Sequence, residues 1–320
     1  MNSGLYIEHI SGHTQIQDLG RYGYQRYGVT RSGAMNREAL RVANILVGNP
    51  QNTACLEFNL LGANFTVTCD SLRMAFVGGD FSISINGKPI KHYLSFRLIK
   101  GDKLVIGQAS SSIRGYLAVA GGFDTRCSLG SYATHLRSGL GGIKNIPLKS
   151  GDSLPTTQKF ALVDNEFFVC ERDKLAIRNT IRVVLGPQHK DFSKQSIDNF
   201  LSEPFVVNNN SDRMGYRLNG TPIKHITDGN IVSDPTIHGS IQIPGDGNPI
   251  ILMADCPTTG GYPKIATVIS SDLGSLAQHP PGAIISFSSI SVQESQAIYK
   301  ERECFLKKLP SLLAPIDAIF

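Results

Sequence analysis

Residues 241–253, IQIPGDGNPIILM, decide how the rest of the chain is read. Two short Ile-rich runs flank a break of Gly, Pro, Asp and Asn, which is strand periodicity with turn punctuation and not a helical repeat. The same pattern recurs at 74-MAFVGG-79, 81-FSISINGKPI-90, 103-KLVIG-107, 116-YLAVAGG-122, 181-IRVVLGP-187 and 283-AIISFSSISV-292. Asn86-Gly87 and Asn219-Gly220 read as hairpin turns, because both residue types tolerate the positive φ of a primed turn. The expected fold is mainly β with a few short helices. Helical spacing is confined to two places. In 33-GAMNREALRVANILVG-48, Ala39, Val42, Ala43, Leu46 and Val47 share a face, opened by Ser32 and closed by Gly48. From about Gln293 to Leu309 a Lys- and Glu-decorated amphipathic helix runs up to Pro310.

The chain also resembles itself. In the same order in both halves, 7-IEHISGHTQIQD-18 matches 181-IRVVLGPQHKDF-192, and 31-RSGAMNREAL-40 matches 210-NSDRMGYRLN-219. Then 62-GANFTV-67 and 72-LRMAFVGGD-80 match 239-GSIQIP-244 and 249-PIILMADCP-257, and 100-KGDKLVIG-107 matches 281-PGAIISFS-288. Such a repeat implies two similar β-barrels. The expected domains are 1–155, carrying the helix near 33–48, then 176–295, then a helical tail over 296–320.

Composition bounds the function. At 320 residues the chain exceeds the size at which one core stops growing, so two compact units are expected. The net charge of +5 is small, and Lys and Arg are scattered without a block of five, which argues against a nucleic-acid partner. Six cysteines without CxxC spacing argue against a structural zinc site and a disulfide framework. No apolar run approaches a membrane span and the first residues lack a signal-peptide pattern, so a cytoplasmic protein is expected.

Three polar segments carry candidate chemistry. In 208-NNNSDRMGYR-217, Ser211, Asp212 and Arg213 stand together with Tyr216 and Arg217 behind them, and Ser32 occupies the matching place in 30-TRSGAMN-36. A planar guanidinium at a barrel rim can hold a carboxylate or phosphate in a two-point fork; the plain alternative is a capped loop with a surface Arg. In 255-DCPTTGGYP-263, Thr258, Thr259 and the amides of Gly260 and Gly261 form a candidate nest for an oxyanion, with Asp255 as base or orienting group, against the plain reading of a strand exit with a double-Gly turn. The loop 137-RSGLGGIKN-145, with His135 and Arg137, reads as a tight turn or a ligand loop. Cys256 beside Asp255 is a weak nucleophile candidate, since the carboxylate raises its pKa. No His pair has metal-ligand spacing, and no segment fits a P-loop.

Taken together, 17-QDLGRYGYQRYGVTRSGAMNREALRVANILVGN-49, 57-EFNLLGANF-65, 116-YLAVAGGF-123, 211-SDRMGYRLNG-220, 239-GSIQIPGDGNPIIL-252 and 258-TTGGYPKIATVISSDLGSLAQHPPG-282 resemble the biotin-dependent carboxyltransferase-like family. That family includes the C-type component of 5-oxoprolinase, the Kip antagonist and part of the urea amidolyase carboxyltransferase domain. The resemblance implies a pair of cyclophilin-like barrels. It further implies a component that acts with A-type and B-type partners to open 5-oxoproline to glutamate, with ATP and Mg2+ used by the complex. A carboxyltransferase component moving a carboxyl group from carboxybiotin to urea or a similar amide, and a non-catalytic module antagonising a kinase inhibitor, are the alternatives. On this reading Asp212, Arg213 and Asp255 are catalytic. Ser32, Asn36, Ser211, Tyr216, Thr258, Thr259, Gly260, Gly261 and Tyr262 bind substrate, and no metal is held by the chain.

Three departures from the family pattern matter. Asn36 replaces the usual Asp after Gly-Ala-Met, Pro257 replaces a common Gln, and Gln188 stands where urea-acting relatives carry His. The chain also lacks a biotinyl-lysine motif, so no covalently attached biotin is expected and carboxybiotin would arrive on another chain.

Overall fold

The computed structural model describes residues 4–316 except 144, 163, 164 and 227. The chain divides into two compact units: one holds the residues up to Arg21, Asn36–Ala176 and the chain from Cys304, the other Tyr22–Met35 and Ile177–Glu303.

The first unit contains β1 (Gly4–Ile10), β2 (Gln15–Gln17), β3 (Cys55–Asn59), β4 (Ala63–Val67), β5 (Ser71–Val77) and β6 (Phe81–Ile85). It continues with β7 (Lys88–Pro89), β8 (Leu94–Ile99), β9 (Lys103–Ala109), β10 (Arg114–Val119), β11 (Ser153–Pro155) and β12 (Phe167–Val169). One sheet runs β11-β1-β4-β9-β6-β7, and the other runs β2-β3-β10-β5-β8-β12 to the strand Leu313–Pro315. Alternating inward residues of both sheets build one apolar core, in which the Phe76 ring lies 5.8 Å from Phe58 and 5.5 Å from Phe81. Asn86 and Gly87, at φ +49° and +80°, form the expected hairpin between β6 and β7.

Helix α1 (Arg37–Leu46) is shorter than its sequence pattern. Its cap is Asn36, whose Oδ1 accepts the Ala39 amide at 3.0 Å, and not Ser32. Ser32 has φ +54° and its hydroxyl is engaged elsewhere, so the helix cannot begin there.

The second unit contains β13 (Thr180–Leu185), β14 (Phe205–Val207), β15 (Gly215–Asn219), β16 (Asp234–Pro235) and β17 (Ser240–Gln242). Then come β18 (Ile250–Leu252), β19 (Thr259–Gly260), β20 (Lys264–Val268) and β21 (Ile284–Ser289). Seven of these close into a barrel in the order β13-β20-β17-β18-β15-β14-β21, sealed by the parallel pair of β21 with β13, while β16 and β19 pair separately. The protein is thus mainly β with one closed seven-stranded barrel. Helix α2 (Lys194–Ser202), capped by Ser193, stacks Phe200 on Phe287 at 4.5 Å; α3 (Leu273–Leu276) is a single turn. Met35, fully buried, joins this core from the Tyr22–Met35 segment.

Helix α4 (Val292–Lys308) opens with a reciprocal cap, Ser291 N to Glu294 Oε2 at 2.8 Å and Glu294 N to Ser291 Oγ at 3.1 Å. The expected tail at 296 therefore starts inside a helix, and residues 317–320 of that tail lie outside the described residues. Among the described residues no helix is long and apolar enough to cross a membrane.

Two expectations are corrected by the pairing. Asn219-Gly220 is no primed turn, because neither residue has positive φ; Gly220 is small because a Cβ there would meet the Phe205 ring at 2.6 Å. The runs matched by self-similarity also occupy different places in the hydrogen-bond order. β4 pairs directly with β1, whereas its counterpart β17 is separated from β13 by β20; β9 pairs with β4, whereas its counterpart β21 lies between β13 and β14. Short Gly-bounded apolar runs look alike whichever neighbours they acquire.

Register also fixes which loops share a barrel end. Gly215 pairs with Leu252, while Gln242 pairs with Ile250 and Lys264. The start of β15 and the end of β18 lie at one end, and the starts of β18 and β20 with the end of β17 lie at the other.

Candidate functional site

The sequence candidates separate along that barrel axis. Arg213 precedes β15 and Asp255 follows β18, so antiparallel pairing of the two strands brings together residues 42 positions apart. Arg213 Nε and Nη2 donate to Asp255 Oδ2 and Oδ1 at 2.8 and 2.9 Å, a two-point fork with both side chains only 12% exposed. Nη2 also donates to Gly33 O at 2.7 Å, and Ser32 Oγ donates to Asp255 Oδ1 at 2.6 Å. Thr30 Oγ1 donates to Cys256 O at 3.0 Å. Ser32, Arg213 and Asp255 therefore meet at one barrel end, where the repeat reading had Ser32 and Arg213 on matching rims of two separate barrels. The fork expected to receive a substrate carboxylate, however, grips Asp255, and the cluster pins the 30–33 segment to the barrel end.

Several of the remaining candidates have structural occupations. Asp212 Oδ1 accepts the amides of Met214 and Gly215 at 2.7 and 3.1 Å, closing its own turn. Ser211 exchanges hydrogen bonds with the Arg217 backbone. Tyr216 is 1% exposed, and its hydroxyl donates to Ala277 O at 3.1 Å inside the barrel. Asn36 belongs to the other unit, where it caps α1 and its amide donates to Tyr116 Oη at 2.7 Å.

Cys256 is buried, and its thiol is pushed up to about 12, first by burial and then by the adjacent Asp255 carboxylate. It stays a protonated thiol at neutral pH and is no nucleophile. Titration of the native chain with a thiol-specific disulfide reagent at pH 8 is expected to modify the exposed Cys127, Cys170 and Cys304 and spare Cys55, Cys69 and Cys256 until the chain is unfolded. Rapid labelling of Cys256 in the native chain contradicts this assignment.

The Thr258–Gly261 segment is not a nest. Thr259 and Gly260 form β19, paired with Pro235 and Asp234, and neither Gly260 nor Gly261 has the left-handed φ that an alternating nest requires. A Cβ on Gly260 would lie 2.4 Å from Gln242 Nε2, so a larger residue there would displace the Gln242 side chain. The loop 137-RSGLGGIKN-145 is likewise a tight turn over its described residues. Gly139, Gly141 and Gly142 all have positive φ, and a Cβ on Gly141 would meet Ala133 O at 2.0 Å; Lys144 lies outside the described residues.

The opposite barrel end carries a polar cluster that no sequence motif announces. Lys264 opens β20 and is 3% exposed, yet its ammonium donates to Asp234 Oδ2 and, at 3.2 Å, to Pro235 O. Gln188, at the departure from the family pattern, donates from Nε2 to Asp234 Oδ2 at 3.3 Å and accepts the Lys264 amide at 3.2 Å. The hydrogen bond from Lys264 holds the Asp234 carboxyl below its ordinary range. Gln242, 5% exposed, donates to Tyr262 O at 3.3 Å. A buried cation, a carboxylate open to solvent and two fixed amides can polarise a carbonyl or steady an oxyanion. The available signal is a lone Lys heading the apolar strand KIATV.

Residues 27–289 match the family described as carboxyltransferase domain, subdomain A and B. The chain is 35% identical over 300 residues to the C-type component of 5-oxoprolinase from Haemophilus influenzae, covering 94% of this chain and 96% of that protein. It is 33% identical over 313 residues to the corresponding C-type component from Escherichia coli, covering 95% and 97%. Its fold is similar to part of the crystal structure of K. lactis urea amidolyase, with a TM-score of 0.90 at 26% identity, covering 96% of this chain and 20% of that one.

Proposed function

Because this chain belongs to the carboxyltransferase domain, subdomain A and B family, we propose that it is the C-type component of a 5-oxoprolinase. In this reading it opens the lactam of 5-oxoproline to glutamate together with A-type and B-type partners. The observation that carries it is the similarity to the C-type 5-oxoprolinase components of H. influenzae and E. coli, which runs over more than nine-tenths of both chains. Gln188, in place of the His of urea-acting relatives, supports it over urea carboxylation. The two-domain organisation and the cyclophilin-like character of the barrel belong to the same reading, with the Tyr22–Met35 segment assigned to the second domain.

The Thr258–Gly261 segment does not fit a nucleotide phosphate. Thr259 and Gly260 form a paired strand, and neither Gly260 nor Gly261 has the positive φ of a phosphate-cradling loop. In this reading ATP and Mg2+ are taken up by the partners, and no step here runs through them. What this chain supplies is the end of the barrel around Lys264. Its positive charge, held in place by Asp234 and Gln188, stabilises negative charge developing on the lactam carbonyl oxygen. Beside this cluster, Val232 and Ile237 are 92% and 56% exposed. Apolar side chains left in water next to a polar cluster suit the face on which a partner completes the site.

The purified chain is expected to leave 5-oxoproline intact with ATP and Mg2+ present, whereas addition of the cognate A-type and B-type partners restores glutamate release. Efficient cleavage by the chain alone, or no cleavage by the full set, rules this reading out.

A further inference from the structure

At the same barrel end as Lys264 lies a cavity of about 320 Å³, lined by only one residue, Tyr262, to which the sequence reading gave a catalytic or substrate-binding role. It is at the small end of the range for small-molecule sites, about 300–1,000 Å³. Three strand positions make it: Arg217 and Asn219 face outward from β15, with Tyr216 and Leu218 buried between and beside them, and Ile250 heads the paired strand β18. Prolines at positions 244 and 249 add apolar walls.

The polar groups are unequally engaged. Asn208 Nδ2 donates to Asn219 Oδ1 at 3.1 Å while Asn208 Oδ1 accepts the Asn210 amide at 2.8 Å, which fixes the Asn219 side chain with its own Nδ2 left to donate. Asp246 also lines the cavity, but its two oxygens accept the Asn248 amide and Nδ2 at 3.0 and 3.2 Å, turning its charge toward its own loop. Arg217 has no side-chain hydrogen bond or ion pair among the described residues. This contrasts with Arg213, whose fork is filled by Asp255. The guanidinium free for a ligand is therefore four residues further along the chain and at the other end of the barrel.

We infer that this cavity binds a small carboxylate that also carries an amide or lactam carbonyl, with Arg217 holding the carboxylate and Asn219 Nδ2 donating to the carbonyl. The choice of 5-oxoproline as that ligand rests on the function proposed above; the chemistry of the cavity does not. Arg217 provides the planar fork that suits a carboxylate, and a single fixed amide donor suits a neutral carbonyl. The apolar walls suit the methylenes of a small ring.

The test is binding to the full chain alone, without partners or ATP, followed through side-chain amide and guanidinium resonances. 5-Oxoproline is expected to shift the signals of Arg217, Asn219 and Asn248. 2-Pyrrolidinone, the same ring without the carboxylate, binds about tenfold or more weakly, and Arg217→Ala removes that difference without lowering the melting temperature. In the reconstituted complex Arg217→Ala raises KM by a similar factor and spares kcat. Equal binding of the two rings, or signals unmoved at saturating 5-oxoproline, overturns the cavity assignment. So does wild-type turnover with an unchanged KM in Arg217→Ala. If the wild-type complex does not cleave 5-oxoproline while carboxylate-selective binding at Arg217 persists, the function fails and the cavity stands.

Discussion

Arg213→Ala is expected to lower the stability of the chain by about 3 kcal/mol, which for a unit of this size is roughly 10 °C in melting temperature. Arg213 and Asp255 are each 12% exposed, and the guanidinium makes two donations to the carboxylate and one to Gly33 O. Deleting it leaves a mostly buried Asp255 carboxylate held by Ser32 and frees the 30–33 segment, whose neighbour Met35 is fully buried in the barrel core. Arg213→Lys retains the charge but cannot span both oxygens, so about half of that loss is expected. In a double-mutant cycle with Asp255→Asn, the combined loss should fall well short of the sum, because either change alone breaks the same fork. A melting temperature within a degree or two of wild type for Arg213→Ala would show that the fork holds nothing together. A catalytic defect in a fully stable Arg213→Lys protein would return the residue to substrate binding.

That reassignment shows where a sequence stops being informative. Strands such as those begun in 103-KLVIG-107 and 181-IRVVLGP-187 are legible because a short apolar run closed by Gly or Pro is a local signal, and residues 103–107 and 181–185 are strand in the structure. Asn86-Gly87 is legible because its backbone demand is local. Asn219-Gly220 has the same letters, but there Gly is required by the approach of the Phe205 ring, a tertiary cause invisible in a dipeptide. Ser32, Arg213 and Asp255 are each legible as polar residues in Gly-rich turns, but that the three meet is a product of the fold. Sequence cannot say whether the Arg faces a ligand or its own Asp, because the choice depends on the strand pairing that sets Gly215 against Leu252. The Thr258–Gly261 segment misleads for a related reason: a double Gly looks like a nest, whereas here Gly260 lies in a paired strand beside Gln242 and neither Gly has positive φ. Lys264 escapes notice because one Lys at the head of an apolar strand looks like a solvent-exposed strand end. Only the barrel shows it buried with its charge directed at Asp234.

Lys264→Met separates the two barrel ends more sharply than any other change. Met fills nearly the same space, and the partner left behind, Asp234, is 42% exposed and can be solvated, so the expected stability loss is small beside that of Arg213→Ala. Activity of the reconstituted complex should behave differently. If Lys264 stabilises charge on the lactam oxygen, its loss removes an electrostatic contact made chiefly in the transition state, and kcat falls by about 100-fold or more with KM little changed. The pH profile gives a second readout. Lys264 holds the Asp234 carboxyl below its ordinary range, so Asp234 stays ionised in the wild type until the pH falls well into the acid region. In Lys264→Met the Asp234 pKa rises back toward its ordinary value, and any limb of the profile governed by that carboxylate moves to higher pH. Stability linked to the pair follows the same sign: it is present above the unfolded carboxyl pKa and is lost as the pH falls through the lower folded value. A stable Lys264→Met complex with wild-type kcat removes the Lys264 cluster from the chemistry. A collapsed kcat accompanied by a loss of stability as large as that of Arg213→Ala makes Lys264 a structural tie instead. With kcat lost and melting temperature retained, the lactam is activated at the Lys264 end of the barrel, opposite the Arg213–Asp255 fork.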